Sequence, residues 1–102
     1  MTEIISSKRS ELAELCRKFR VRRLALFGSS LTPDFDPEKS DLDFLVEFQP
    51  LPKGEYARTY FDFSDALEQL FGRPIDLIEQ GTIRNPYIQQ EIERTRQTIY
   101  GA

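Results

Sequence analysis

Leu24-Ala25-Leu26-Phe27-Gly28-Ser29, followed after a loop by Ser40-Asp41-Leu42-Asp43-Phe44-Leu45-Val46-Glu47-Phe48, is the stretch whose reading decides the fold. The first segment is an apolar run closed by glycine. The second sets Leu42, Phe44, Val46 and Phe48 at alternate positions, which is the period of a β-strand. Side chains two apart on a strand project from one face, so Asp41 and Asp43 would stand together. Hard carboxylate oxygens held on a rigid strand suit Mg²⁺, which takes one or two protein carboxylates, some waters and a substrate's phosphates. Gly28 lets the backbone approach a ligand without hindrance from a Cβ. Ser29 and the amides after it can bind phosphate oxygens, and a short helix starting at Ser29 or Ser30 would add its N-terminal dipole. The two motifs read as a phosphate grip beside a metal-binding carboxylate pair, equipment for phosphoryl or nucleotidyl chemistry.

Working outward, the chain reads as helix, strand, motif loop, strand, helix, strand, helix, a mixed α/β (α+β) pattern with no repeat, low-complexity tract or linker. The first helix is expected from Ser6 or Ser7 to about Lys18, with Leu12, Leu15, Cys16 and Phe19 at helical spacing and a serine as N-cap. The first strand covers Val21 to Phe27. A long helix spans about Glu55 to Phe71: Tyr56, Tyr60, Phe63, Leu67, Leu70 and Phe71 share a stripe, and Arg58, Asp62, Asp65 and Gln69 lie opposite. Gly72 and Pro74 end it. A strand follows at Ile75 to Ile78. The closing helix opens at Asn85-Pro86, a cap residue before a proline in the first turn, and takes its apolar edge from Ile88, Ile92 and Ile99.

Asp76 is a third carboxylate of the same kind, charged inside a short and otherwise apolar strand, a costly placement unless a cation compensates it. If its strand lies beside that of Asp43, the three aspartates share one face around one or two Mg²⁺ ions. Two such ions about 3.5–4 Å apart can activate a hydroxyl and stabilise a leaving pyrophosphate. Asp76 would then act on the nucleophile. Asp34-Phe35-Asp36 is a decoy between Pro33 and Pro37, and a calcium loop from Asp34 fails because Lys39 and Leu45 occupy the positions that need glycine and glutamate.

Composition sets the limits. At 102 residues the chain makes one small domain, residues 1–102, with 39% hydrophobic and 30% charged residues, an ordinary globular composition. No apolar stretch approaches a membrane span and the N-terminus lacks a secretory pattern, so a cytoplasmic protein is expected. Histidine is absent, which excludes histidine-based hydrolases, histidine-containing zinc sites and histidine-dependent ribonuclease chemistry. Cys16 is the only cysteine and reads as a small buried hydrophobe. A net charge of −3 argues against strong sequence-independent nucleic-acid binding. The basic cluster Arg17, Lys18, Arg20, Arg22 and Arg23 reads as a helix C-terminus and solvated turn.

The joint pattern resembles the minimal nucleotidyltransferases of the polymerase-beta-like superfamily over nearly the whole chain, with Pro74-Ile75-Asp76-Leu77-Ile78 similar to their third acidic strand and Asn85-Pro86-Tyr87 through Ile99-Tyr100 to their closing helix. The resemblance implies a short mixed sheet flanked by helices. It further implies an antitoxin paired with a HEPN-domain toxin, a small helical ribonuclease, onto whose tyrosine AMP is transferred from ATP. By the same resemblance Gly28 and Ser29, with Ser30 beside them, contact the triphosphate, Asp41 and Asp43 bind both Mg²⁺ ions, and Asp76 completes the second site. One departure stands out: relatives often carry a basic residue shortly after Gly-Ser, where this chain has Ser30, Leu31 and Thr32. Arg22, Arg23 and Lys39 are the candidates to replace it.

Size points the same way, because a short chain without added domains needs its acceptor presented by another molecule, which favours a hetero-oligomer with a protein partner. The alternatives are a noncatalytic antitoxin that inhibits by binding and a nucleotidyltransferase acting on a small molecule or RNA. Phe61 falls off the main stripe of the long helix, at the edge of the core or against a partner, with the core edge favoured. Tyr87 and Tyr100 face the same choice.

Overall fold

The computed structural model describes residues 3–27, 42–82 and 84–101. In chain order the elements are α1 (Glu3–Ser7), α2 (Arg9–Lys18), β1 (Val21–Leu26), β2 (Leu42–Phe48), α3 (Tyr56–Phe71), β3 (Ile75–Glu79), α4 (Pro86–Thr95) and β4 (Gln97–Tyr100). The strands form one sheet in the order β3-β2-β1-β4. β2 and β3 run parallel, while β1 pairs antiparallel with both β2 and β4.

Alternation along the strands divides the apolar residues between two faces. On one face Leu24, Leu26, Leu42, Phe44 and Val46 pack beneath Ile5, Leu12 and Cys16 of α1 and α2 and beneath Phe63, Leu67 and Phe71 of α3. The other face carries a smaller cluster, in which Ala25, Phe27 and Leu45 meet Ile92 of α4, with Ile78 packed beside them. Asp43 alternates with Leu42 and Phe44, so it belongs to this second face.

α3 forms where a four-residue spacing of Phe63, Leu67 and Phe71 meets a polar opposite side. Arg58, Asp62, Asp65 and Gln69 are all exposed, as the stripe predicts. Phe63 is fully buried and packs against Phe19 and Phe48 at centroid distances of 5.7 and 6.0 Å, within the range where aromatic pairs attract. The helix stops at Gly72, whose left-handed φ of 66° places its amide 2.8 Å from the Glu68 carbonyl.

Two expected helices are corrected. The N-terminal helix is two pieces, and Lys8 rather than a serine stands at the N-cap of α2 without a side-chain cap. The Lys8 amide donates to the Ile5 carbonyl and its own carbonyl accepts from Leu12, so a turn replaces the cap. The closing helix ends at Thr95, as Arg96 turns to an extended ψ of 141°. β4 follows, pairing Gln97 with Leu26, Thr98 with Ala25 and Tyr100 with Leu24. Ile99 therefore enters the main core while Ile92 serves the opposite face. The apolar edge read through Ile88, Ile92 and Ile99 is a coincidence of spacing: β1 needs an edge partner, and pairing its backbone outweighs one more helical turn.

β3 is the outer strand beside β2, and its open side is capped. The Tyr60 hydroxyl donates to the Leu77 carbonyl. The Glu79 carbonyl accepts from the Thr82 amide at 3.3 Å and from the Thr82 hydroxyl at 2.7 Å. Occupied carbonyls make this edge a poor template for a further strand. Among the described residues no helix is long and apolar enough to cross a membrane.

Candidate active site

The β2–β3 ladder places Asp43 directly opposite Asp76, with Leu45 opposite Ile78 two steps further. Neighbouring strands lie about 4.8 Å apart, so the two carboxylates start from adjacent points on one face. Three segments are tied together at this end of the sheet. The Leu42 amide donates to the Pro74 carbonyl at 3.3 Å, and the Phe27 amide donates to the Asp43 carbonyl at 3.1 Å. Phe27 is the residue before Gly28, so the expected phosphate grip continues in sequence from a residue bonded to Asp43.

Asp43 is half-buried and Asp76 is exposed. The cost ascribed to Asp76 from its apolar neighbours is therefore not incurred: on an outer strand its carboxylate keeps its water. Gly28, Ser29, Ser30 and Asp41 lie outside the described residues, and so does Lys39. Among the described residues no group of three or more acidic, cysteine or histidine side chains is gathered for a metal. What is present is a pair of hard oxygen donors in register, a donor set that fits Mg²⁺ and would not suit a soft metal.

Arg22 and Arg23 sit at the far end of the sheet. Arg23 pairs with Glu47 in the ladder, four residues along β2 from Asp43 and about 13 Å away at strand spacing. Arg22 is 3.8 Å from Glu47. Neither strand position adjoins the carboxylates. Arg73, which the sequence reading passed over, is half-buried beside Pro74, whose carbonyl holds Leu42. Its signal was its place three residues before Asp76, at the carboxylate end of the parallel pair.

Charge from this region reaches α3. The Tyr60 hydroxyl is held above its ordinary pKa, first by burial and then by the charges of Asp76 and Glu79. Tyr56 is raised too, by burial, a hydrogen bond to Glu79 and that residue's charge. Together with Ala57, Phe61, Leu77 and Thr82 they line a groove of about 450 Å³ along the β3 edge. Phe61 is 63% exposed, so the expected core-edge placement is corrected: α3 presents this ring beside the groove, against Tyr60 at 5.3 Å. Tyr87 is 81% exposed, whereas Tyr100 packs against the main core.

Helices on one face of a mixed sheet, one helix on the other, and paired aspartates on adjacent parallel strands define the class of small nucleotidyltransferases. Residues 9–99 match the family described as the nucleotidyltransferase domain, and the chain belongs to that family. It is 39% identical to a Methanocaldococcus jannaschii chain bearing the name of a protein adenylyltransferase, over 91% of each. The protein adenylyltransferase MntA of Thermococcus cleftensis is 29% identical, over 83% of this chain and 82% of its own. Among solved structures, one described as a minimal nucleotidyltransferase superposes with a TM-score of 0.73 at 26% identity, covering 93% of this chain and 92% of that one. A toxin–antitoxin structure with AMP-PNP gives 0.67 at 15% identity, over 92% and 73%. A tri-AMPylated Shewanella oneidensis HEPN toxin in complex with an MNT antitoxin gives 0.64 at 14%, over 95% and 72%. These last two show likeness of fold.

Proposed function

We propose that this nucleotidyltransferase is an antitoxin that transfers AMP from ATP to a tyrosine hydroxyl of a partner HEPN ribonuclease toxin and so silences it. The observation that carries the reading is the register of Asp43 and Asp76, two carboxylates at adjacent points of a parallel ladder. Support comes from relatives named as protein adenylyltransferases and from folds seen with AMP-PNP and with an AMPylated toxin.

In this reading Asp43 and Asp76, joined by Asp41, hold two Mg²⁺ ions, and Gly28, Ser29 and Ser30 grip the triphosphate. The metal supplies neutralisation of phosphate charge and of the departing pyrophosphate. The acceptor oxygen forms a bond to the α-phosphorus, the bond to the β-phosphate bridging oxygen breaks, and pyrophosphate leaves. Asp76, exposed on an outer strand, is open to the incoming hydroxyl and takes its proton. Among the described residues, Arg73 is the cation near the carboxylate end of the β2–β3 pair, through Pro74, whose carbonyl holds Leu42, and it is the one proposed to serve the triphosphate in place of the missing basic residue.

Intact mass of the toxin from the adjacent gene, after incubation with this protein, Mg²⁺ and ATP, tests the proposal. The expected gain of AMP disappears with Asp43→Asn. A toxin left unmodified yet inhibited by both forms sinks the enzymatic reading in favour of binding alone. AMP incorporated into RNA or a small molecule, with the toxin untouched, reassigns the acceptor.

A further inference from the structure

The groove of about 450 Å³ between α3 and the outer edge of β3 is walled by rings, with Tyr56, Tyr60 and Phe61 on the helix and Leu77, Glu79 and Thr82 on the strand side. Phe61 is 63% exposed and Tyr56 37%. Apolar surface gathered in one place rather than scattered marks an interaction site. Tyr56 stacks on Tyr60 at 6.3 Å, and the Phe61 ring meets Tyr60 edge to face at 5.3 Å and 88°. The rings brace one another, and most of the Phe61 surface stays open.

The chemistry of the groove decides what fits it. A further strand does not, because the Leu77 and Glu79 carbonyls on this edge accept from the Tyr60 and Thr82 hydroxyls. The occupant must enter through side chains. A nucleic-acid strand can stack bases on rings, but its backbone needs cations, and among the described lining residues there is none. Arg58, beside Ala57 in the chain, is engaged by Asp62 at 3.9 Å. The charge here is negative. Glu79 takes a hydrogen bond from the Tyr56 hydroxyl, and its carboxylate keeps lone pairs for a second donor. Burial first, and then the charges of Asp76 and Glu79, lift the Tyr60 hydroxyl above its ordinary pKa, so carboxylate charge reaches the rings.

An aromatic wall ending in a carboxylate suits a guanidinium, which stacks on a ring face and bonds the carboxylate in its own plane. We propose that this groove is the docking surface for a protein partner and that its anchor is an arginine side chain of that partner, laid on Phe61 and paired with Glu79. The proposal rests on the reading above that the acceptor belongs to a protein, and it adds where that protein sits. Glu79 lies three residues from Asp76 on β3, about 10 Å at strand spacing, so a partner anchored there approaches the exposed aspartate from the outer edge of the sheet.

The test is calorimetric binding of the toxin from the adjacent gene to the full chain, without ATP and at two salt concentrations. Phe61→Leu keeps apolar bulk and removes the ring, and Glu79→Gln removes the charge. Thermal unfolding checks that each variant is folded, and Mg-ATP binding checks the nucleotide site. Each variant is expected to weaken toxin binding by about tenfold and to raise the KM for the toxin in AMP transfer in step. Glu79→Gln is also expected to flatten the fall in affinity with salt, and both variants to keep Mg-ATP binding within about twofold. Full affinity in folded Phe61→Leu means an apolar anchor and overturns the arginine assignment. Full affinity and unchanged KM in both variants overturn the groove as the docking surface, while AMP transfer by wild type leaves the parent reading in place. Self-association of wild type that Phe61→Leu abolishes gives the groove to a second copy and overturns the proposal too. A wild-type protein that neither binds the toxin nor adds AMP to it overturns the parent reading, and the docking assignment with it.

Discussion

Asp43 and Asp76 are directly opposite each other in the parallel β2–β3 ladder. Carboxylates so placed repel, and like charges directly opposite one another on a sheet cost stability. A divalent cation bound to both, as the proposed function has it, would reverse the sign. On the proposed function, wild type is expected to rise in melting temperature with millimolar Mg²⁺, and Asp76→Asn to abolish that rise while leaving the metal-free protein as stable as wild type or slightly more so. Thermal unfolding with and without Mg²⁺ reads both effects without requiring the partner. An Asp76→Asn protein that keeps the full Mg²⁺-induced rise would remove this aspartate from the metal site.

Tyr60 caps the outer edge through its hydroxyl on the Leu77 carbonyl. Tyr60→Phe keeps the ring stacked near Tyr56 and removes only that bond. The expected loss is about 1 kcal/mol, the usual net value of one hydrogen bond, seen as a lower urea midpoint with an unchanged slope. A freed carbonyl on an outer strand also invites pairing between copies, so the variant is expected to sediment as larger species at high concentration.

Burial pushes the Cys16 thiol up to about 12 from an ordinary 9.0, and α1, α2 and the sheet enclose it. Two consequences can be measured. Iodoacetamide at pH 8 is expected to label Cys16 only as fast as the protein opens, and at once in denaturant. Because the folded state holds the proton more tightly, its contribution to stability is complete below pH 9 and is lost as pH rises toward 12. The raised hydroxyls of Tyr56 and Tyr60 act in the same direction. Cys16→Ala is expected to flatten the alkaline fall in stability across that window, whatever it does to stability at neutral pH.

The part of the fold legible in the sequence was the part where one signal dominated. Leu42, Phe44 and Val46 alternate without interruption and form β2 as read. The stripe of Phe63, Leu67 and Phe71 with Gly72 after it gives α3, and Asn85-Pro86 opens α4 where a cap and a proline coincide. The meeting of Asp43 and Asp76 was conditional on strand order, which local sequence does not state, and the parallel ladder supplies it. What could not be read was set by tertiary demand. Nothing local tells Gln97–Tyr100 that the outer side of β1 lacks a partner, and Ile99 lies seven residues after Ile92, a spacing that fits a helix equally well. Phe61 was misplaced for a related reason, since the width of a helix's buried arc depends on what packs against it. The Gly28-Ser29 half of the motif and Asp41 fall outside the described residues, so their share of the site rests on sequence.

Ile99 separates the two readings of the C-terminal segment. In a continued helix it would extend the edge begun by Ile88 and Ile92. In β4 it enters the main core, 6% exposed, among residues from α2, α3 and the sheet, whereas Ile88 is 47% exposed. Ile99→Ala is accordingly expected to cost about 2–5 kcal/mol, the range for deleting a buried isoleucine side chain to alanine. Ile88→Ala is expected to stay within about 0.5 kcal/mol, as for other surface changes. Urea titrations of the two variants give the comparison directly, and equal costs would argue against β4. Because β4 covers β1, and β1 leads through Phe27 to the backbone of Asp43, Ile99→Ala is also expected to weaken Mg²⁺ binding. A merely local loss of packing at the far strand would lower stability and leave Mg²⁺ affinity in the folded fraction unchanged.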